Sequence, residues 1–350
     1  MAAPVTHRLG MAGTLALLLL SGSGILAAGE AHKTAAGFPK RSLNMIVPFG
    51  AGGATDLIAR SIAVGMEEYL GVSIAVNNMP GSASAVGNEY VMNAPHDGYT
   101  ILCQPTDITS IKVMGQSKLT YKDWDFLYIA AGVPTVIGVH PDSPIKTIDD
   151  FVNAMKADTI TIATSDSGCA FTRGVGLILR SETGLKRPEL IPSGGGNPAA
   201  LSCVKGDVDA VACGLPECID LVRSGVLRPI VYFGASAIDI DGAQGKIRIP
   251  CISEKYPDLQ PLLPFGGWVS VAMPKGTDPE ILDLLAKAVK YSATKKAFTD
   301  FLAQKTFVPV GLTGKEADKW AEDSSYTNSY LLFDMGFAKT DPASFGWPRP

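Results

Sequence analysis

The chain has 350 residues and a formal net charge of −4, from 30 basic and 34 acidic side chains, and 46% of it is hydrophobic. That is enough length and apolar content for two ordinary domains. The slightly acidic balance, without any block of like charge, excludes a nucleic-acid-binding surface and a charged tail.

The first 31 residues read as a secretory signal peptide. His7 and Arg8 give a short basic start, Leu15 to Leu20 form the apolar centre, and small residues near Ala27-Ala28 or Gly29-Glu30-Ala31 suit cleavage. This run is too short to span a membrane, and no cysteine follows it for a lipid anchor. No later segment approaches the roughly 18 uninterrupted apolar residues of a span. The mature part is expected to be exported and not inserted in the membrane.

Leu43-Asn44-Met45-Ile46-Val47 is an apolar strand running into Gly50, Gly52 and Gly53. Thr55-Asp56 then open a helix, with apolar Leu57, Ile58, Ile62, Met66 and Leu70 at helical spacing. Glycines let a ligand approach the backbone, and a helix N-terminus offers unpaired N–H groups to an anion. Asp56 reads most simply as a first-turn acid favoured by the helix dipole. A strand at 72–78, the turn Pro80-Gly81-Ser82, a helix at 85–93 and a strand at 99–103 follow. Strands separated by helices imply right-handed crossovers and a parallel sheet, with ligands at the carboxyl ends of the strands.

The stretch 126–139 is a long apolar strand interrupted by Gly132 and Pro134, a candidate for passing from one domain to another. A second α/β series follows: helix 149–156, strand 159–164, a helix after Gly168, strand 189–192, Gly194-Gly195-Gly196, helix 199–205, strand 208–212 and helix 217–224. The apolar strand 227–233 is a candidate return crossing. Strand 268–273 and helices at 279–292, 295–304 and 315–330 complete the chain. Two α/β lobes joined by two strand crossings describe a cleft-closing binding protein. Lobe 1 is expected over 38–132 plus 235–350, and lobe 2 over 133–234.

Enzymatic readings are poorly supplied. Gly50-x-Gly52-x-x-Thr55 partly imitates a dinucleotide fingerprint. Its third glycine slot holds Thr55, however, and Asn77-Asn78 stand where an acid should hold the ribose. No Gly-Lys-Ser/Thr phosphate loop occurs, and the only Gly-x-Ser-x-Gly-like run, Gly22-Ser23-Gly24, falls in the leader. Only His32, His96 and His140 remain after export, and none lies near Cys169, which at a helix N-terminus is the one nucleophile candidate. Asp166-Ser167-Gly168 reads as a polar turn before a helix. Cys103, Cys169, Cys203, Cys213, Cys218 and Cys251 form no Cys-x-x-Cys pair or zinc-spaced cluster. Both buried thiols and disulfides stay open, with Cys213–Cys218 one pairing and Cys169 a competing partner. No catalytic residue, metal or cofactor is expected.

At this point ordered motifs accumulate. Pro48-Phe49-Gly50-Ala51-Gly52-Gly53-Ala54-Thr55-Asp56 resembles the first-loop motif of the Bug receptors, the extracytoplasmic solute-binding proteins of tripartite tricarboxylate transporters. Asn78-Met79-Pro80-Gly81-Ser82-Ala83 and Pro95-His96-Asp97-Gly98-Tyr99-Thr100-Ile101-Leu102 resemble their Asn-Arg-Pro-Gly-Ala and Pro-Asp-Gly-Tyr-Thr segments. Ile191-Pro192-Ser193-Gly194-Gly195-Gly196, Gly206-Asp207-Val208-Asp209 and Leu227-Arg228-Pro229-Ile230 match later landmarks. The resemblance implies a periplasmic-binding-protein-like (type II) Venus flytrap of two α/β lobes. It implies a monomer that holds a small carboxylate in its cleft through backbone N–H groups, hydroxyls and waters. The implied partner is a membrane permease with a large and a small subunit.

Candidate ligand-binding residues are Phe49, Gly50, Ala51, Gly52, Gly53, Ala54, Thr55 and Asp56 of the first loop, then Gly81, Ser82 and Thr106. The other lobe offers Ser165, Asp166, Ser167, Gly168, Cys169, Thr172, Ser193, Gly194 and Gly214. The second-lobe loop departs from the family pattern, with Asp166 for glycine, Cys169 for serine and Thr172 for histidine. Asp166 either caps the helix beginning near Cys169 or selects a ligand that offers it a donor. The alternatives to a transport receptor are a secreted hydrolase using the same cleft and a ligand sensor for a signalling partner.

Overall fold

The computed structural model describes residues 31–166 and 168–350, so the leader and Ser167 lie outside the described residues. In chain order it gives β1 (Leu43–Val47), α1 (Ala54–Leu70), β2 (Ile74–Asn78), α2 (Ala85–Asn93), β3 (Thr100–Pro105), a 3-10 turn (Thr106–Thr109) and β4 (Trp124–Val139). The second series is α3 (Ile148–Ala157), β5 (Thr161–Thr164), α4 (Ala170–Ser181), β6 (Glu189–Pro192), α5 (Gly196–Lys205), β7 (Ala210–Gly214), α6 (Leu215–Arg223) and β8 (Arg228–Tyr232). A hairpin of β9 (Ile238–Gly242) and β10 (Gly245–Ile249) follows, then β11 (Gly266–Pro274), α7 (Pro279–Ala293), α8 (Lys296–Gln304), β12 (Val308–Leu312) and α9 (Gly314–Asp334).

The apolar periodicity of α1 does what it predicts. Ile58, Ile62, Met66 and Leu70 are fully buried against the sheet and α7, each stabilising the fold by roughly 1.5–3 kcal/mol. The helix ends at Gly71, in left-handed backbone at φ 67, whose N–H reaches the Glu67 carbonyl. Ser292 of α7 donates its hydroxyl to the Ile62 carbonyl at 2.7 Å, fixing where the two helices cross.

The first lobe's sheet runs β2-β1-β3-β11-β4, parallel among β1, β2 and β3. β11 is antiparallel to both β3 and β4, and β12 also pairs antiparallel with β4. The second lobe's sheet has β6, β5 and β7 in parallel, with β7 and β8 antiparallel to the far end of β4. The expected parallel arrangement therefore covers only the βα halves of each lobe. β4 is one unbroken strand of 16 residues despite Gly132 and Pro134. Its residues up to Pro134 pair with β11, and those from Thr135 onward pair with β7 and β8.

The waist is tied by three strands. Thr135 N donates to the Phe265 carbonyl (3.0 Å), Phe265 N to Phe233 (2.8 Å) and Phe233 N to Thr135 (2.9 Å). Between Phe233 and Phe265 the β9–β10 hairpin buries Ile240 and Ile249 with Val211, Leu215 and Ile219, in the core of the second lobe. The chain thus re-enters the first sheet at Gly266.

All six cysteines are buried free thiols, the first of the two alternatives that the sequence leaves open. Cys213 and Cys218 are neighbouring thiols, and the Cys218 thiol points at the Gly214 and Leu215 carbonyls. Among the described residues no helix is long and apolar enough to cross a membrane.

Candidate functional site

The first glycine turn is built around Asp56. Its carboxylate accepts from Gly52 N (2.9 Å), Arg60 Nε (3.1 Å) and Asn78 Nδ2 (2.9 Å), and Asn78 Nδ2 also donates to the Phe49 carbonyl (3.0 Å). Burial alone would raise the Asp56 carboxyl; the bonds from Arg60, Gly52 and Asn78 outweigh it and hold the group below its ordinary value. Asp56 is therefore a clamp on the loop. Gly52 has φ +80, and a Cβ there would meet nothing within 4 Å. Glycine there meets the demand of the left-handed backbone.

The anion position at the start of α1 is filled by the protein itself. Glu217 of α6 reaches across the cleft, and its Oε1 accepts from Ala54 N at 3.1 Å. Its Oε2 accepts from Gly214 N at 2.9 Å, and the Gly196 amide at the start of α5 faces it as well. A Cβ at Gly196 would lie 1.9 Å from Oε2, so glycine is what lets the carboxylate sit there. Burial pushes the Glu217 carboxyl above its ordinary value, and the Ala54, Gly214 and Gly196 amides work against that.

Beside this contact lies a cavity of about 40 Å³, room for a water or two. Its first-lobe wall is Phe49, Gly53, Ala54 and Thr55, then Pro105, Thr106 and Asp107, with Gly267, Trp268 and Val269 of β11. The second lobe supplies Ser165, Cys169, Ala170, Phe171, Gly195 and Glu217, and Val133 sits at the waist. Ala170 and Phe171 belong to the first turn of α4, and Thr55 to that of α1, so the first turns of both helices line the space.

Three polar atoms on this wall are buried without a hydrogen-bond partner: Thr106 Oγ1, Asp107 Oδ1 and Ser165 Oγ. Burial pushes the Asp107 carboxyl up to about 7; Arg173 pulls it down and Asp166 and Glu217 add to the rise. Arg173, wholly buried on α4, donates Nη1 to the Gly168 carbonyl (3.1 Å) and leaves Nε and Nη2 unpartnered. A larger void of about 620 Å³, between the waist and α9, is lined by Pro261, Leu262, Trp320 and Asn328 among others and holds none of these unpartnered groups.

The structure thus brings Phe49, Gly53, Ala54, Thr55, Thr106, Ser165 and Cys169 to one wall. Gly50 faces the carbonyl of Gly194 across the cleft, 3.5 Å from where its Cβ would be. Ala51, Gly52 and Asp56 shape the first turn without lining the cavity, and Gly214 serves it through Glu217. Gly81 and Ser82 form a positive-φ turn leading to α2, away from the cavity. Ser193 turns its hydroxyl to the Ile191 carbonyl.

In the second-lobe loop, Asp166 Oδ1 accepts from Gly168 N at 3.1 Å, and its carbonyl accepts from Cys169 N and the Thr172 hydroxyl. Asp166 turns back onto its own loop, while the residue in the cap position is Cys169. Burial and then Asp107 raise the Cys169 thiol, the reverse of an activated nucleophile. Asp107, Glu217, Phe171 and Trp268 were missed. Asp107 stands two residues after strand β3, at the carboxyl end where ligands sit, and that is the available signal. Among the described residues no cluster suited to a metal is present.

A family model described as "Tripartite tricarboxylate transporter family receptor" matches residues 58–336. "Protein BugT" of Bordetella pertussis is 27% identical over 322 residues, covering 87% of this chain and 95% of its own. A TctC solute-binding protein from Polaromonas, solved without ligand, is 26% identical with a TM-score of 0.62, over 85% of this chain and 99% of its own. An R. palustris protein solved with adipate has the same fold, with a TM-score of 0.76 at 23% identity over 86% and 99% of the two chains.

Proposed function

The chain belongs to the tripartite tricarboxylate transporter receptor family, and from that premise we propose that it captures a small carboxylate between its lobes and hands it to a membrane permease. The receptor works as an exported monomer in the periplasm, and the permease has a large and a small subunit. The observation that carries the ligand class is the N-terminus of α4 on a cavity with the unpartnered hydroxyls of Thr106 and Ser165, the start of α1 being held by Glu217. First-turn amides and hydroxyls suit a carboxylate, because the helix dipoles favour negative charge there. The adipate bound to the R. palustris neighbour supports the same class.

The lobes divide at the waist, 38–134 with 266–350 against 135–265, because β4 changes partners after Pro134 and the β9–β10 hairpin shares the second lobe's core. Opening at the waist admits the ligand; the cavity of about 40 Å³ is smaller than any such ligand, so the lobes close around it less far than they do here. The reading gives the receptor no catalytic role, and burial of the Cys169 thiol, which raises its pKa, argues against its acting as a nucleophile. A thermal-shift screen against mono- and dicarboxylates of two to six carbons tests the reading. A matching ligand raises the Tm and is recovered unchanged by chromatography. Steady consumption of the ligand, or no shift with any carboxylate, overturns it.

A further inference from the structure

We propose that the cleft selects a carboxylate that also carries a protonated amine, with that amine seated on Asp107. The inference rests on the carboxylate-receptor reading and narrows it. Four observations lead to it.

The position that would bind a second carboxylate, at the start of α1, is taken by Glu217 and its backbone amides. Asp107 is 5% exposed, lines the cavity and leaves Oδ1 without a partner. A buried carboxylate oxygen in that state costs free energy that a donor from the ligand removes. Next, among the described residues no lysine, arginine or histidine lines the cavity. Asp166 and Glu217 add to the negative field at Asp107, against the single guanidinium of Arg173. A purely anionic ligand meets repulsion there, and an ammonium group relieves it. Finally, Phe49 from the first lobe and Phe171 from the second both line the cavity, and aromatic rings attract a desolvated cation.

The two ends of the ligand are thereby separated. The carboxylate meets the first-turn amides of α4 with Ser165, and the ammonium meets Asp107 from the first lobe. A ligand with both groups bridges the lobes, which couples its recognition to closure.

The test is calorimetry on the full mature chain with three probes of one skeleton, propanoate, 3-aminopropanoate and propylamine, and their homologues to six carbons. The expected result is that an amino-carboxylate binds at least tenfold tighter than the matching plain carboxylate. In Asp107→Asn, whose folding is checked by a cooperative melt, that ratio collapses to within about threefold. A plain carboxylate binding as tightly as its amino analogue overturns the inference and leaves the carboxylate reading standing. An amine binding without any carboxylate, with its affinity lost in Asp107→Asn, keeps the Asp107 site and overturns the carboxylate reading instead. No binding by any amine-bearing probe overturns the inference, as does an amino preference that survives Asp107→Asn.

Discussion

The two halves of the cleft wall solve their hydrogen bonding in opposite ways. Around Glu217 everything is paired: a carboxylate from one lobe accepts from the start of α1 in the other, with Gly214 and Gly196 completing the cradle. A few residues away, Thr106, Asp107 and Ser165 are equally buried and have unpartnered polar atoms. A folded protein rarely leaves such groups orphaned without a reason. The paired half holds the lobes together, and the orphaned half is where a ligand gains most by binding.

The comparison breaks most directly at Glu217. Glu217→Ala removes the acceptor of Ala54 and Gly214 and should lower stability by about 3 kcal/mol in urea denaturation, the scale of bonds to a buried charged acceptor. Gly196→Ala places a Cβ 1.9 Å from Oε2 and should expel the same carboxylate. In the Glu217→Ala background it should then cost under about 1 kcal/mol, because neighbours acting through one contact are not additive. Additive losses would mean that Gly196 is there for another reason.

Asp107 gives the next effect, and its sign is opposite. Folding raises its pKa from about 4 to about 7. The folded state therefore binds that proton more tightly, and stability falls as pH rises through this window. Glu217, also raised, adds a slope of the same sign. Asp107→Asn should leave stability little changed at pH 4 and raise it by about 2 kcal/mol at pH 8, less than full linkage because the amide is still a buried polar group. Thermal melts across pH 4–8 measure the slope, and an equal pH dependence in both proteins would place the titration elsewhere.

Smaller effects sharpen the picture of the loops. Gly52→Ala should cost about 1 kcal/mol through left-handed strain at φ +80 and leave ligand affinity unchanged by calorimetry, since a Cβ there meets nothing. Asp166→Asn keeps an acceptor for Gly168 N and should change stability by less than about 0.5 kcal/mol, measured by urea denaturation. A clear loss of ligand affinity in either variant, measured by calorimetry, would bring that loop into the binding wall.

Most of the βα framework was legible in the sequence. The 3.6-residue spacing of Ile58, Ile62, Met66 and Leu70 and the apolar run of β4 are local signals, and local signals survive into the fold. The β9–β10 hairpin was legible too, in the alternation of Ile238 and Ile240 and of Ile247 and Ile249, but it went unread. The glycine turns announced an anion cradle, and in the structure the first of them holds the protein's own Glu217 carboxylate.

What the sequence by itself determined was which segments form helices and strands, and that glycine turns lead into helix N-termini. Which anion sits on the start of α1 was decided only by the tertiary structure, because Ala54 and Glu217 are 163 positions apart and meet across the closed cleft. The same holds for Asp107, whose pKa is raised because folding withdraws it from water beside Asp166 and Glu217. Desolvation and charge proximity are properties of three-dimensional neighbours, and one-dimensional spacing does not encode them.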